Sequence, residues 1–360
     1  MARSRTIALA AAALAALIAG VVIVNGAGGT PDAGAATAPS AFPLADPDTL
    51  LAKDGTYVTY GTTVGAGVGS RCGDTGKLYV PYLNHGSGDT VGMTDCAAGD
   101  ALPSGPGSWA EPGDAVWAPG VALFDGTFYM YYAATKKGTG QKCIGLATSG
   151  GAKSPFTNKG EWACPDGGRW AIDPDPFVAS GKLYVAYRDD AIASGAETGI
   201  SIVQVDGSGF ALWNTRRDAL KSTDISWDTT GISGSTHVVE NPSVFVGGEN
   251  HYYLAYSGNN WNSARYATGI ADCGTSPIPS SRCTPIHDGV KRPFFGYTGS
   301  SGLSPYRGLP GNYQGPGAMD VFTTAGGRRC VVWAWWDPAT GHRHPRIGEL
   351  SSDANGFLVK

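Results

Sequence analysis

The sequence predicts an all-β fold, a five-bladed β-propeller, from three observations. A short strand–turn–strand unit recurs five times, aligned on turn glycines at positions 55, 126, 181, 248 and 327, which lie 71, 55, 67 and 79 residues apart. A repeat of roughly 50–80 residues, each holding several short strands, is the mark of a propeller blade. Acidic residues stand at matching points ahead of three of these turns: Asp46 nine residues before Gly55, Asp173 eight before Gly181 and Glu240 eight before Gly248. A shared register places them at one point of three blades, so that they converge on one axis. Finally, 54 glycines and 10% aromatic residues, with no long amphipathic period after residue 25, suit short strands and many turns.

The elements follow in chain order. Arg3 and Arg5 precede an apolar run over residues 7–24. Residues 1–25 therefore read as a signal peptide of a secreted protein, or, given the length of the run, as an uncleaved anchor in a membrane. Residues 26–41, rich in Gly, Ala, Thr and Pro, read as a flexible linker, and residues 42–360 as the propeller. Blades are predicted over residues 42–100, 110–165, 170–225, 235–285 and 313–355. Strand alternation is clear in Phe128-Tyr129-Met130-Tyr131-Tyr132 and in Ile200-Ser201-Ile202-Val203-Gln204-Val205. Residues 287–315, rich in Gly, Pro, Ser and aromatics, read as a functional loop beside the axis.

Composition excludes several functions. The formal net charge is −4 and no Lys/Arg cluster occurs, so nucleic acid is not an expected partner, and the chain is read as a monomer. The seven cysteines show no C-x-x-C and the six histidines are scattered, which argues against a structural zinc. In an exported chain, nearest-neighbour pairing gives disulfides Cys72–Cys96, Cys143–Cys164 and Cys273–Cys283, each within one repeat. Cys330, inside the apolar run Cys330-Val331-Val332-Trp333, is predicted to be a buried thiol. No Gly-x-Ser-x-Gly occurs, so a serine hydrolase is disfavoured.

One acid before a proline usually starts a turn. Three in register point to chemistry. The runs that carry them, Ala45-Asp46-Pro47, Ala171-Ile172-Asp173-Pro174 and Val239-Glu240-Asn241-Pro242, occur in order with Trp117-Ala118-Pro119 and Gly315-Pro316-Gly317. Together with Gly99-Asp100-Ala101-Leu102-Pro103, Cys143-Ile144-Gly145-Leu146-Ala147-Thr148-Ser149 and the Cys273/Cys283 pair, they resemble glycoside hydrolase family 43 over residues 42–350. That resemblance implies a five-bladed propeller enzyme acting mainly on arabinofuranosides and xylosides. It implies Asp46 as general base, Glu240 as general acid, and Asp173 as the carboxylate that orients the acid and raises its pKa. Inversion at a sugar requires such a division, with acid and base roughly 6.5–9.5 Å apart around a water. Asp175, two residues on and on the same strand face by alternation, is the rival of Asp173.

The resemblance also suggests a wall for the sugar in Trp117, against core packing. Trp261 in a polar loop is a second candidate, and Arg346 in His344-Pro345-Arg346-Ile347 a sugar contact, against an exposed charge on the last strand. The chain departs from the family where many members carry His after Gly-Pro-Gly; here Ala318 follows. No cofactor is therefore expected, a calcium ion on the axis included, and EDTA should leave activity nearly unchanged. Reversible loss restored by calcium would refute that expectation. The reading is a secreted inverting hydrolase releasing α-L-arabinofuranosyl units from plant cell-wall polysaccharide. The alternatives are a β-xylosidase, an endo-arabinanase, or a carbohydrate-binding propeller without catalysis.

Overall fold

Each repeat folds as an antiparallel meander in which sequence neighbours pair. A computed structural model describes residues 40–359 except 69–71, 74–75, 87–95, 229–236, 287–292, 297–313 and 354–355. Blade 1 comprises β1 (Asp48–Leu51), β2 (Tyr57–Tyr60), β3 (Pro81–His85) and β4 (Gly99–Asp100). Blade 2 comprises β5 (Trp117–Phe124), β6 (Thr127–Thr135), β7 (Lys142–Ser149) and β8 (Thr157–Ala163). Blade 3 comprises β9 (Ala171–Ala179), β10 (Lys182–Asp189), β11 (Gly199–Gln204) and β12 (Arg217–Lys221). Blade 4 comprises β13 (Val239–Val246), β14 (Tyr252–Gly258), β15 (Ala267–Asp272) and β16 (Thr284–Pro285). Blade 5 comprises β17 (Gln314–Thr323), β18 (Arg329–Asp337), β19 (His342–Asp353) and β20 (Gly356–Val359). Among the described residues these make five four-stranded sheets, as the repeats predict.

The first strand of each blade lies innermost, and β1, β5, β9, β13 and β17 pack in a ring. The hydrophobic core is divided accordingly into layers between blades. Val58 and Tyr60 meet Val121, Met130 and Phe156 between blades 1 and 2. Tyr131 and Leu146 meet Leu183 and Val185 between blades 2 and 3. Ile202 and Leu220 meet Val244 and Leu254 between blades 3 and 4. Phe245 and Ile270 meet Val331 and Trp333 between blades 4 and 5. The ring closes through Tyr57, Phe322, Cys330 and Val332, with the Ala325 amide donating to the Tyr57 hydroxyl at 2.9 Å. Near-continuous apolar strands such as β6 supply this because both faces of each blade are covered by neighbours. Where β5 and β9 cross closest only glycine fits: a Cβ on Gly120 would collide with the carbonyl oxygen of Pro174.

The chain joins the last blade from Ser40 onward. The Ser40 amide donates to the Pro345 carbonyl at 3.0 Å and the Leu44 amide to that of Arg343 at 2.9 Å, and Phe42 and Leu44 are buried. Residues 1–39, which hold the expected signal and most of the expected linker, lie outside the described residues, as does most of the 287–315 loop. Disulfides join Cys72–Cys96, Cys143–Cys164 and Cys273–Cys283, a pattern suited to an oxidising compartment. No helix among the described residues is long and apolar enough to cross a membrane.

Candidate active site

The innermost strands bend where the site forms. Pairing skips after Trp117 in β5, Ile172 in β9, Glu240 in β13 and Gly317 in β17. The next residue in each has a left-handed backbone: Ala118 (φ 41°), Asp173 (54°), Asn241 (46°) and Ala318 (50°); Asp46, just ahead of β1, matches them at 49°. Proline follows four of the five (Pro47, Pro119, Pro174 and Pro242) and has no amide for the ladder. Asp and Asn tolerate this region better than most side chains.

The bulge re-aims side chains, so two consecutive residues of a strand reach one cavity, Ile172 with Asp173 and Glu240 with Asn241, and Ala45 with Asp46 ahead of β1 do the same. It also realigns the repeats. Counting from the turn glycines sets Glu240 level with Asp173, whereas the bulges set Asn241 level with Asp173, and Glu240 level with Trp117 and Ile172. Blade 4 differs because a 3-10 turn, Gly248–Asn250, joins β13 to β14.

The cavity is about 700 Å³, and Asp46, Asp173 and Glu240 all line it, with Trp117, Trp170 and Trp261. Asp46 Oδ1 lies 2.5 Å from Arg343 Nη1, and its Oδ2 accepts from the Thr62 hydroxyl at 2.7 Å. Asp173 Oδ2 accepts from the Asn241 amide at 3.1 Å. Glu240 Oε2 lies 2.9 Å from Arg188 Nη1, and its Oε1 accepts from the Tyr266 hydroxyl at 3.1 Å. Gly317 makes room for that tyrosine, since a Cβ there would enter the Tyr266 ring. Arg188 is also gripped by Asp190, through Nε at 2.9 Å and Nη2 at 3.1 Å. Part of its charge is thus spent on Asp190 and its pull on Glu240 is weakened.

Burial raises the Glu240 pKa; Arg188 opposes the rise and Asp46 adds to it. Burial likewise puts Asp173 well above the usual carboxylate range, and repulsion from Glu240 and Asp46 pushes further, against Arg188. Burial works against the charge of Arg343, but Asp46, Tyr266 and Glu240 hold it protonated. Two buried carboxyls that repel each other titrate as a pair and retain a proton between them. We predict that Asp173→Asn, by removing the carboxyl that shares a proton with Glu240, moves the alkaline limb of the kcat/KM profile to lower pH. A limb that stays or rises in a pH–rate titration would contradict this.

The structure places Trp117 on the cavity wall, one face covered by Lys142 Nζ at 3.7 Å from the ring centroid and the ring edge-on to Trp170. Trp261 lines the cavity with 39% of its surface exposed. Arg346 does not line it: the residue is buried, with its guanidinium over the Trp333 ring at 5.8 Å. Arg343 lines it instead, three residues earlier on β19 and so on the opposite strand face. Sequence reasoning missed Arg343, Arg188, Asp190, Trp170 and Tyr266. The polar run Arg188-Asp189-Asp190, closing an apolar strand, was the one local signal for any of them.

Deeper on the axis, all five inner strands enclose a cavity of about 30 Å³. Here Asp175 sits with Asp48 and Asp320, their oxygens within 4.8 Å of one another. Asp175 Oδ2 accepts from the Val244 amide at 2.8 Å, so this rival of Asp173 belongs to a second tier. Three hard oxygen donors could hold a divalent cation, a tier that the expectation built on Ala318 did not consider. Without one, burial pushes Asp320 up to about 6. A carboxyl raised on folding stabilises the native state below its unfolded value, and that contribution is lost as pH climbs through the folded value. In EDTA, wild-type stability should therefore fall as pH rises from about 4 to 7, with Asp48 and Asp175, which burial also raises, adding to the slope. Asp320→Asn should flatten that slope in urea titrations; an unchanged slope would refute it.

Buried carboxyls in unequal surroundings, around a cavity walled by tryptophan, are the equipment of glycoside hydrolysis. The chain matches the model of glycosyl hydrolases family 43 over residues 42–358 and belongs to that family. Arabinan endo-1,5-alpha-L-arabinosidase A of Aspergillus niger is 30% identical over 168 residues, 45% of this chain and 46% of that protein. An extracellular exo-alpha-(1->5)-L-arabinofuranosidase of Streptomyces avermitilis is 26% identical over 165 residues, 45% of this chain and 32% of that one. The chain spans about half the length of the curated relatives it matches, or less. Among solved structures, a thermostable family-43 glycoside hydrolase superposes with TM-score 0.66 at 22% identity, covering 90% of this chain and 96% of its own. An endo-arabinase from Bacteroides thetaiotaomicron gives 0.65 at 16% identity, covering 89% and 99%. Both likenesses are in the fold.

Proposed function

We propose that this family 43 enzyme is secreted and hydrolyses α-L-arabinofuranosyl bonds of arabinan or arabinoxylan-type polysaccharide with inversion, releasing terminal units. The observation that carries the reading is the contrast among the three carboxyls of one cavity. Asp46 lies against a cation and a hydroxyl, as suits a base that takes a proton from water. Glu240 is buried with its pKa raised, as suits an acid that protonates the leaving oxygen. Asp173 adds the repulsion that keeps a proton in the pair. Trp117, Trp170 and Trp261 line the cavity, and a flat apolar ring is suited to stacking on a sugar.

The name of the Aspergillus relative favours a second reading, cleavage inside an arabinan chain. Products from linear 1,5-arabinan separate the two. Terminal release gives arabinose alone from the first minutes, whereas internal cleavage gives a ladder of oligosaccharides and a rapid loss of viscosity. Activity confined to aryl β-xylosides would overturn both.

A further inference from the structure

A second cavity, of about 550 Å³, opens between the outer strand of blade 2 and the strands of blade 3. It meets the axial cavity at one side chain, Arg169, which lines both. The guanidinium of Arg169 is fixed by the carbonyls of Asp190, Ala193 and Glu197. Trp213 forms the platform of this second cavity. It begins a 3-10 turn, Trp213–Thr215, and is 49% exposed. Behind it stands the buried Trp162, with ring centroids 5.5 Å apart, itself donating through Nε1 to the Gly209 carbonyl at 2.9 Å. A ring so backed loses little freedom on binding.

Arg216 faces the same cavity with its side chain 35% exposed and Nη1 3.2 Å from Asp189. Asp189 is wholly buried and also accepts from the Tyr187 and Ser201 hydroxyls, so the guanidinium is held in place. Arg169 and Arg216 are balanced by Asp166 and Asp189, which gives the lining no preference for anions or cations. An aromatic face flanked by fixed donors, in a setting of no net charge, suits a neutral ring that carries hydroxyls.

We propose that this groove is a second carbohydrate-binding site, holding a sugar residue of the polysaccharide whose bond is cut in the axial cavity. The identity of the polymer rests on the arabinan reading above; the site itself rests on Trp213 and Arg216. Affinity electrophoresis in native gels cast with linear 1,5-arabinan or arabinoxylan tests it. Trp213→Ala and Arg216→Ala should each weaken polymer binding about three- to tenfold, the worth of one such contact. Turnover of nitrophenyl α-L-arabinofuranoside, which fills the axial cavity alone, should stay at the wild-type rate. Trp213→Phe keeps a platform and should recover most of the binding.

Retardation of both alanine variants equal to wild type, or no retardation of wild type by either polymer, would overturn the proposal. So would Trp213→Phe binding as poorly as Trp213→Ala. If wild type binds polymer through Trp213 yet cleaves neither polymer, the arabinan-hydrolase reading falls and this site stands. If arabinan is hydrolysed while neither alanine variant loses binding, the reverse holds.

Discussion

Glu240→Gln is expected to lose roughly 10²–10⁴ in kcat/KM on an arabino-oligosaccharide, the usual worth of general acid catalysis, and far less on nitrophenyl α-L-arabinofuranoside. The asymmetry follows from the leaving group. A nitrophenolate departs without a proton, whereas a sugar hydroxyl needs one in the transition state. In the structure burial raises the Glu240 pKa against the pull of Arg188 at 2.9 Å, and Asp190 grips two other nitrogens of that guanidinium. Glutamine preserves size and the bond from Tyr266, so the loss reads the proton and not the packing. Equal losses on the two substrates would take Glu240 out of the acid role.

Asp46→Asn should cost both substrates alike, by at least the same roughly 10²–10⁴, since water must be deprotonated whichever group leaves. Asparagine keeps one oxygen near Arg343 and Thr62, which hold Asp46 at 2.5 Å and 2.7 Å, so the cavity should keep its shape and KM should change little. Activity near wild type would take Asp46 out of the base role and place that chemistry on another group.

The fold was largely legible because a blade is a local object. Each meander is closed by turns at glycines such as Gly126 and Gly181, and its strands alternate, so five copies of one pattern suffice to specify the ring. The three carboxyls were legible for the same reason, as acids ahead of the prolines Pro47 and Pro174 and just before Asn241-Pro242. Their exact level on the axis was not. That depends on backbone bulges with positive φ at Asp173 and Asn241, and on a longer turn at Gly248–Asn250, neither of which changes the residue pattern enough to be read.

Long-range pairings were harder still. Arg343 reaches Asp46 across 297 residues of sequence, and Tyr266 reaches Glu240 from two strands away. Choosing Arg346 over Arg343 was a choice of strand face, decided in the fold by the pairing of Trp333 with Arg346 and Trp336 with Arg343. Asp175 shows the converse: alternation rightly sent it to the axis, and the bulge at Asp173-Pro174 sent it to a different depth, beside Asp48 and Asp320.

The most direct test of the central claim is the anomeric configuration of the first product, followed by proton NMR during hydrolysis of an α-L-arabinofuranoside. An Asp46 base that activates water on the face opposite the Glu240 acid delivers β-L-arabinofuranose first, with the α anomer growing in only as mutarotation proceeds. Initial formation of the α anomer would mean retention through a covalent intermediate, and would contradict the division of roles between Asp46 and Glu240.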